Sequence, residues 1–379
     1  MNPNGIALIL SGFPRRSETF ALNEAMALHR RGYLAAIFAT KPGDGLPPQP
    51  GSDVLLDLLH PLPAGTPTAQ ADALIQHLQG RPIAGIHAYF AHTPTDVAMA
   101  VAQRLQVPYG FSMHAKDARK VTPLELNRRA RGAACVVACN PDVAKAITDP
   151  QIHVDLLPHG VDLTHFQPQS FPSTTSTHLL AVGRLVEKKG FDILLQAAAR
   201  LSFPFTLEII GDGPERSRLA QLREKLGLTD RVRLRSGITH ADLPAAYAAA
   251  HIVVVPSVID RSGDRDGLPN VLLEAMAAGR SVVASDVSAI SSAVIAGDNG
   301  LLVNPGDVEA LAAALTRLAS QPQLCRDLGR RARQQVAFHY DLRLCSDRFC
   351  DFIEQTYLAG PPRRPVNATV ETGPAVPAR

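Results

Sequence analysis

The chain has 379 residues, 46% hydrophobic and 19% charged, with a net charge of +3. That length and balance predict two or three ordinary domains with sizeable cores and exclude a disordered chain. A near-neutral balance with 5% aromatic residues argues against a nucleic-acid partner, and no stretch reaches the ~18–20 apolar residues of a spanning helix.

Residues 1–5 lead directly into a strand predicted over 6–10, with no charged and then apolar leader before it. Residues 11–20 join that strand to a helix predicted over 21–31. The turn holds only Gly12, where a dinucleotide-binding turn needs Gly-x-Gly-x-x-Gly, so no nicotinamide cofactor is expected. Gly12 itself is expected to let the backbone approach a ligand. Further strands are predicted over 35–39, 85–89 and 135–138. His114 stands in Ser112-Met113-His114-Ala115-Lys116-Asp117-Ala118. A lone histidine is more often structural or solvated than functional, and His87 and His92 are weaker candidates still.

A basic run follows. Lys116, Arg119, Lys120, Arg128, Arg129 and Arg131 stand against Asp117 and Glu125. The run reads as a solvated helix face, or as a docking surface for anionic lipid worth ~1 kcal/mol per basic residue near the membrane. Cys135 and Cys139 lie in an apolar run and read as core. The five cysteines show no metal or disulfide spacing, which predicts a reducing, cytoplasmic setting.

Residues 163–177 carry no period and many turn residues, so a domain boundary is placed there. The expected organisation is a first domain at 1–165, a linker at 166–177 and a second domain at 178–338. A helix at 339–358 and a disordered, proline-rich tail at 359–379 follow. In the second domain, strands over 179–182, 206–210, 232–235, 252–255 and 281–284 alternate with helical patterns such as 191–201. That alternation implies βαβ units and parallel sheets, with ligands at the carboxyl ends of strands.

Two segments of the second domain carry chemistry. Gly183, Arg184 and Lys189 lie in one strand-to-helix turn, where a guanidinium fork and an ammonium could together neutralise a diphosphate. The other reading is a basic loop in water. The second segment runs from Asp266 to Gly279. Pro269 suits a first helical position and Gly279 a helix stop. The free N–H groups around Leu268 and Asn270 would then form an anion site. Glu274 follows two apolar residues and needs a partner, because an unpaired buried charge is costly. The plainer reading is a capped helix with one satisfied internal carboxylate.

Together these segments resemble the donor site of retaining family-4 glycosyltransferases, which have the GT-B fold: α/β, with two Rossmann-like doubly wound domains facing across a cleft. That family shows a Gly-Arg…Lys-Gly turn and a Glu-x7-Glu motif opening Glu-Gly-Leu-Pro and closing Leu-Glu-Ala-Met-Ala. Arg184, Lys189 and Glu274 match, and Asp266 stands where the first Glu is usual. Leu157-Pro158-His159-Gly160-Val161-Asp162 resembles the family's domain-ending Pro-Asn-Gly-Val-Asp, with His159 for Asn.

The resemblance implies a nucleoside diphosphate sugar donor, retention of configuration, no metal and no further cofactor. It places Arg184, Lys189 and the Gly267–Asn270 helix start on the diphosphate and Glu274 on the ribose hydroxyls. It places Asp266 and His114 on the transferred sugar, with Gly12 and Gly183 lining the donor. Asp264-Arg265-Asp266 has the spelling of a metal-binding Asp-x-Asp but lies in the donor loop. Ser17-Glu18-Thr19-Phe20 and the His114 segment resemble a branch that builds exopolysaccharides such as colanic acid. The implied acceptor is a carbohydrate or lipid-linked glycan, reached in the second case by peripheral contact of residues 116–131 with the inner membrane face. A GT-B epimerase or phosphorylase, or an inactive GT-B scaffold, would share these features.

Overall fold

A computed structural model describes residues 5–15, 18–45 and 51–359, with only the backbone of Lys116 and Asp117. Ser17 and nearly all of the proposed tail lie outside the described residues.

The first sheet has seven parallel strands: β1 (Ile6–Phe13), β2 (Leu34–Pro42), β3 (Leu59–Pro61), β4 (Gly85–Tyr89), β5 (Tyr109–Met113), β6 (Cys135–Ala138) and β7 (Asp155–Leu156). Their order is β3-β2-β1-β4-β5-β6-β7. The second sheet has six parallel strands: β8 (Thr177–Val182), β9 (Phe205–Ile210), β10 (Val232–Arg235), β11 (Ile252–Val255), β12 (Ser281–Ser285) and β13 (Leu301–Val303). Their order is β10-β9-β8-β11-β12-β13. Each order reverses beside its first strand, at β1/β4 and at β8/β11. Such reversals leave a crevice at the carboxyl ends of the strands. Helices cover both faces, which is why β1 reads as one apolar run and is buried throughout.

β1 is longer than the expected 6–10 and runs on to Phe13, which pairs with Pro42 of β2. β5 carries Gly110 and Ser112 and gives no strong strand signal. Its position between β4 and β6 supplies the ladder partners on both sides.

Leu342–Ile353 and the turn Glu354–Leu358 pack on the first sheet. Phe349, Cys350, Ile353 and Tyr357 share one buried cluster with Ile6, Leu8, Leu10 and Leu28. The chain therefore leaves the second sheet through the helix Pro322–His339 and closes the core of the first. All five cysteines are unpaired thiols, and Cys135 is buried against Tyr357 and His87.

Candidate active site between the two domains

Asp266 is the centre of the second domain's half of the site. Lys189 Nζ lies 2.6 Å from its Oδ2, Ser257 Oγ donates to the same oxygen at 3.2 Å, and Lys188 Nζ is 3.5 Å from Oδ1. Burial alone would raise this carboxyl. Lys189 first, then Lys188 and Ser257, outweigh burial and hold it below the usual range. The ammonium of Lys188 also reaches Asp264 at 3.0 Å. Both carboxylates of Asp264-Arg265-Asp266 thus face lysines.

The helix after Asp266 spans Asn270–Ala277. Pro269 precedes it as the cap residue, with an extended ψ of 131°, one position earlier than expected. No side chain caps this helix, so the N–H groups of its first turn carry the positive end of the helix dipole. Gly279, at φ 69°, ends the segment. Glu274 is buried, and Tyr247 Oη donates to its Oε2 at 2.8 Å. Burial raises this carboxyl to about 7, against the opposing pull of Tyr247, His165 and Lys189.

Gly183 and Arg184 follow β8. A Cβ on Gly183 would lie 3.2 Å from Lys189 Cε, so Lys189 runs alongside this glycine. Arg184 is exposed, and its guanidinium makes no ion pair or hydrogen bond among the described residues.

In the first domain, Gly12 is tightly packed against the neighbouring strand. It lies inside β1 opposite Lys41, and a Cβ there would meet the Pro42 carbonyl at 2.6 Å. His114 follows β5 and is buried, with ring centroids 4.4 Å from Phe20, 5.0 Å from Phe90 and 5.2 Å from His159. Burial, then His159 and His87, push its imidazole well below the usual range and keep it neutral. His159 Nδ1 lies 2.8 Å from Glu24 Oε1, and Tyr89 donates to the other oxygen of the same carboxylate. Burial opposes charge on His159, but Glu24 prevails and lifts it to about 10.

His87 and His92 act as structure. His87 is fully buried between Ser112 Oγ at 2.8 Å and Tyr357 Oη at 3.2 Å, and burial holds it down to about 3. His92 caps the helix Thr93–Leu105 by accepting the Thr93 N–H at 2.9 Å.

The two halves meet. A Cβ on Gly267 would lie 3.0 Å from both Ala115 Cβ and Asn140 Nδ2. The residues beside Asp266 and His114 are therefore in contact across the domain boundary. Arg119 donates to Asp142 and to the Arg265 carbonyl, each at 2.7 Å. Arg265 in turn reaches Asp142 at 3.2 Å and Ser288 Oγ at 3.0 Å.

Within the basic run 116–131, three arginines have carboxylate partners. Arg119 serves the domain junction. Arg129 is buried and makes a two-pronged bond to Asp96 at 2.8 and 2.9 Å, and Arg131 pairs with Asp149 at 2.8 Å. The carboxylates come from other elements and were invisible in the run itself. No helix among the described residues is long and apolar enough to cross a membrane.

Sequence reasoning missed Lys188, Tyr247, Glu24, His159 and Asp142 as members of this assembly. Two had a visible signal: Lys188 adjoins Lys189, and His159 replaces an expected asparagine.

A glycosyltransferase family 4 model matches residues 17–165, and a glycosyl transferases group 1 model matches residues 164–335. The chain belongs to the family-4 glycosyltransferases.

Its two facing Rossmann-like domains are those of the GT-B fold. WcaL of Escherichia coli K12, provisionally named a colanic acid biosynthesis glycosyltransferase, is 32% identical over 203 residues, 52% of this chain and 49% of that protein. The chain thus spans about half the length of this curated relative. Sucrose-phosphate synthase from Thermosynechococcus elongatus superposes with a TM-score of 0.78 at 22% identity, over 94% of this chain and 100% of that one. Anabaena HepE, solved in complex with UDP, gives 0.76 at 19% identity, over 92% and 99%. At these identities the two structures establish the fold alone.

Proposed function

We propose that this glycosyltransferase moves a sugar from a nucleoside diphosphate sugar to an acceptor hydroxyl, with retention of configuration, in exopolysaccharide or other surface-glycan synthesis. The carrying observation is the buried Lys189–Asp266 pair, set at an uncapped helix start and apposed to the His114 segment of the other domain. WcaL supports the glycan class and HepE the nucleotide class.

In this reading Lys189, Arg184 and the N–H groups at Leu268–Asn270 stabilise the charge that grows on the departing diphosphate. Glu274 accepts the ribose hydroxyls. Asp266 and neutral His114 hold hydroxyls of the sugar. The bond from the anomeric carbon to the phosphate oxygen breaks as the acceptor oxygen attacks the same face. The acceptor proton passes to the departing oxygen, and no covalent enzyme intermediate forms. The acceptor is a carbohydrate or lipid-linked glycan, and the donor is the only small molecule the reaction requires. The setting is the cytoplasm.

The test is thermal shift and turnover across a panel of UDP-, GDP-, ADP- and dTDP-sugars. One donor should stabilise the protein by mass action. Lys189→Ala should cut turnover about 10²–10³-fold, as removal of one preorganised charge-stabilising donor does, and should lower the melting temperature, because Asp266 loses its nearest counter-charge. Wild-type rates in Lys189→Ala would sink the phosphate site. Donor consumed in water without an acceptor would favour an epimerase.

A further inference from the structure

Two lysines face Asp266, and one of them is shared with Asp264. Lys189 holds one oxygen at 2.6 Å, and Lys188 approaches the other at 3.5 Å. Lys188 is not a surface lysine. Its side chain is 9% exposed, and its carbonyl accepts the Val258 N–H at 2.9 Å, which fixes the lysine turn to the segment after β11. Asp264, at 3.0 Å, holds its ammonium from the other side.

Lys189 has two duties that conflict. It neutralises Asp266 in the donor-free molecule, and it is the ammonium proposed to meet the diphosphate. When it turns to phosphate, the buried Asp266 loses its nearest counter-charge. Stripping one partner from a buried ion pair is strongly unfavourable. Lys188 faces the oxygen that Lys189 does not use. Asp266 also stands where the resembling family has glutamate. A carboxylate one methylene shorter stays nearer its own backbone, and so nearer the lysine turn.

We infer that Lys188 is a positioning residue of the donor site: it keeps Asp266 charged and aimed when the donor diphosphate draws Lys189 away, and it does not touch the donor. The inference rests on the nucleoside diphosphate reading above.

The experiment is a double-mutant cycle read by calorimetric titration of UDP, GDP, ADP and dTDP into the wild type, Lys188→Met, Asp266→Asn and the double variant. Lys188→Met should weaken binding of the cognate diphosphate about tenfold or more, the scale of a lost charge-assisted contact, and by less than about threefold in the Asp266→Asn background. Lys188→Arg, which keeps the cation, should restore most of the affinity. Equal losses in both backgrounds would make Lys188 a direct phosphate ligand or a purely structural residue and would overturn the inference. So would no loss at all. A wild type that binds none of the four diphosphates removes the functional reading and this inference with it. A wild type that binds, with an additive cycle, removes the inference alone. Lys188→Gln replaces Lys188→Met in the cycle if the methionine variant does not fold.

Discussion

Glu274 is a buried acid, and Tyr247 donates a hydrogen bond to its carboxylate. Its carboxyl is raised from 4.5 to about 7, so the folded state favours the neutral form. The stability it contributes is fully present below about pH 4.5 and is lost as pH rises through about 7. Ribose binding demands the opposite charge state, because only the carboxylate accepts from two hydroxyls. Nucleoside diphosphate affinity should therefore weaken as pH falls below about 7, and Glu274→Gln should flatten that dependence. Calorimetric titration from pH 5.5 to 8.5 checks both, and an unchanged profile in Glu274→Gln would remove the ribose assignment. Glu24 and His159 form the matching pair in the first domain, side by side with His114. Removing one partner of such a pair costs about 3–5 kcal/mol, so Glu24→Gln should lower stability by that order in urea unfolding. Of these residues, sequence reasoning singled out Glu274 and His114. Tyr247 and Glu24 escaped it, because a helical Tyr or Glu has no local mark of a partner that arrives from 27 or 65 residues away.

At the scale of elements, the donor loop and the C-terminal helix each do something their local sequence does not announce. Gly267 reads as part of a glycine-leucine-proline helix entry, yet its missing Cβ leaves room for Ala115 and Asn140, each 3.0 Å from where that Cβ would lie. Gly267→Ala should reduce turnover while leaving the melting temperature nearly unchanged, since the neighbour must give by only a few tenths of an ångström. Parallel turnover and thermal scans decide this. The helix Leu342–Ile353 shows an amphipathic pattern, but the pattern does not name the surface it covers. Phe349, 1% exposed, is buried against β1 and the helix Thr19–Arg30. Phe349→Ala should cost about 3–5 kcal/mol through the cavity it leaves, read by denaturant unfolding of the whole chain.

At the scale of the whole molecule, the domains are joined by charge. Asp142 lies between Arg119 of its own domain and Arg265 of the other, and Arg119 also binds the carbonyl beside Asp266. Asp142→Ala would remove the carboxylate that two guanidiniums share and leave Arg119 only the more distant Asp264, at 3.9 Å. The domains should then open, with a larger radius of gyration in small-angle scattering and slower turnover. An unchanged scattering curve would show that other contacts hold the closed form.

The sequence by itself determined the alternation of strands and helices, the two parallel sheets and the donor motif. These are set by local period, by turn residues and by short-range spacing, all of which lie along the chain. The tertiary structure alone decided which charges are neutralised. Asp96, Asp142 and Asp149 come from separate elements and pair with Arg129, Arg119 and Arg131 of the basic run. It also decided that Gly12 is a packing residue, that His87 is a core histidine, and that Lys188 shares Asp266 with Lys189. Electrostatic partners and close backbone approaches depend on distance in space, and that distance is fixed only when the sheets, and then the two domains, come together.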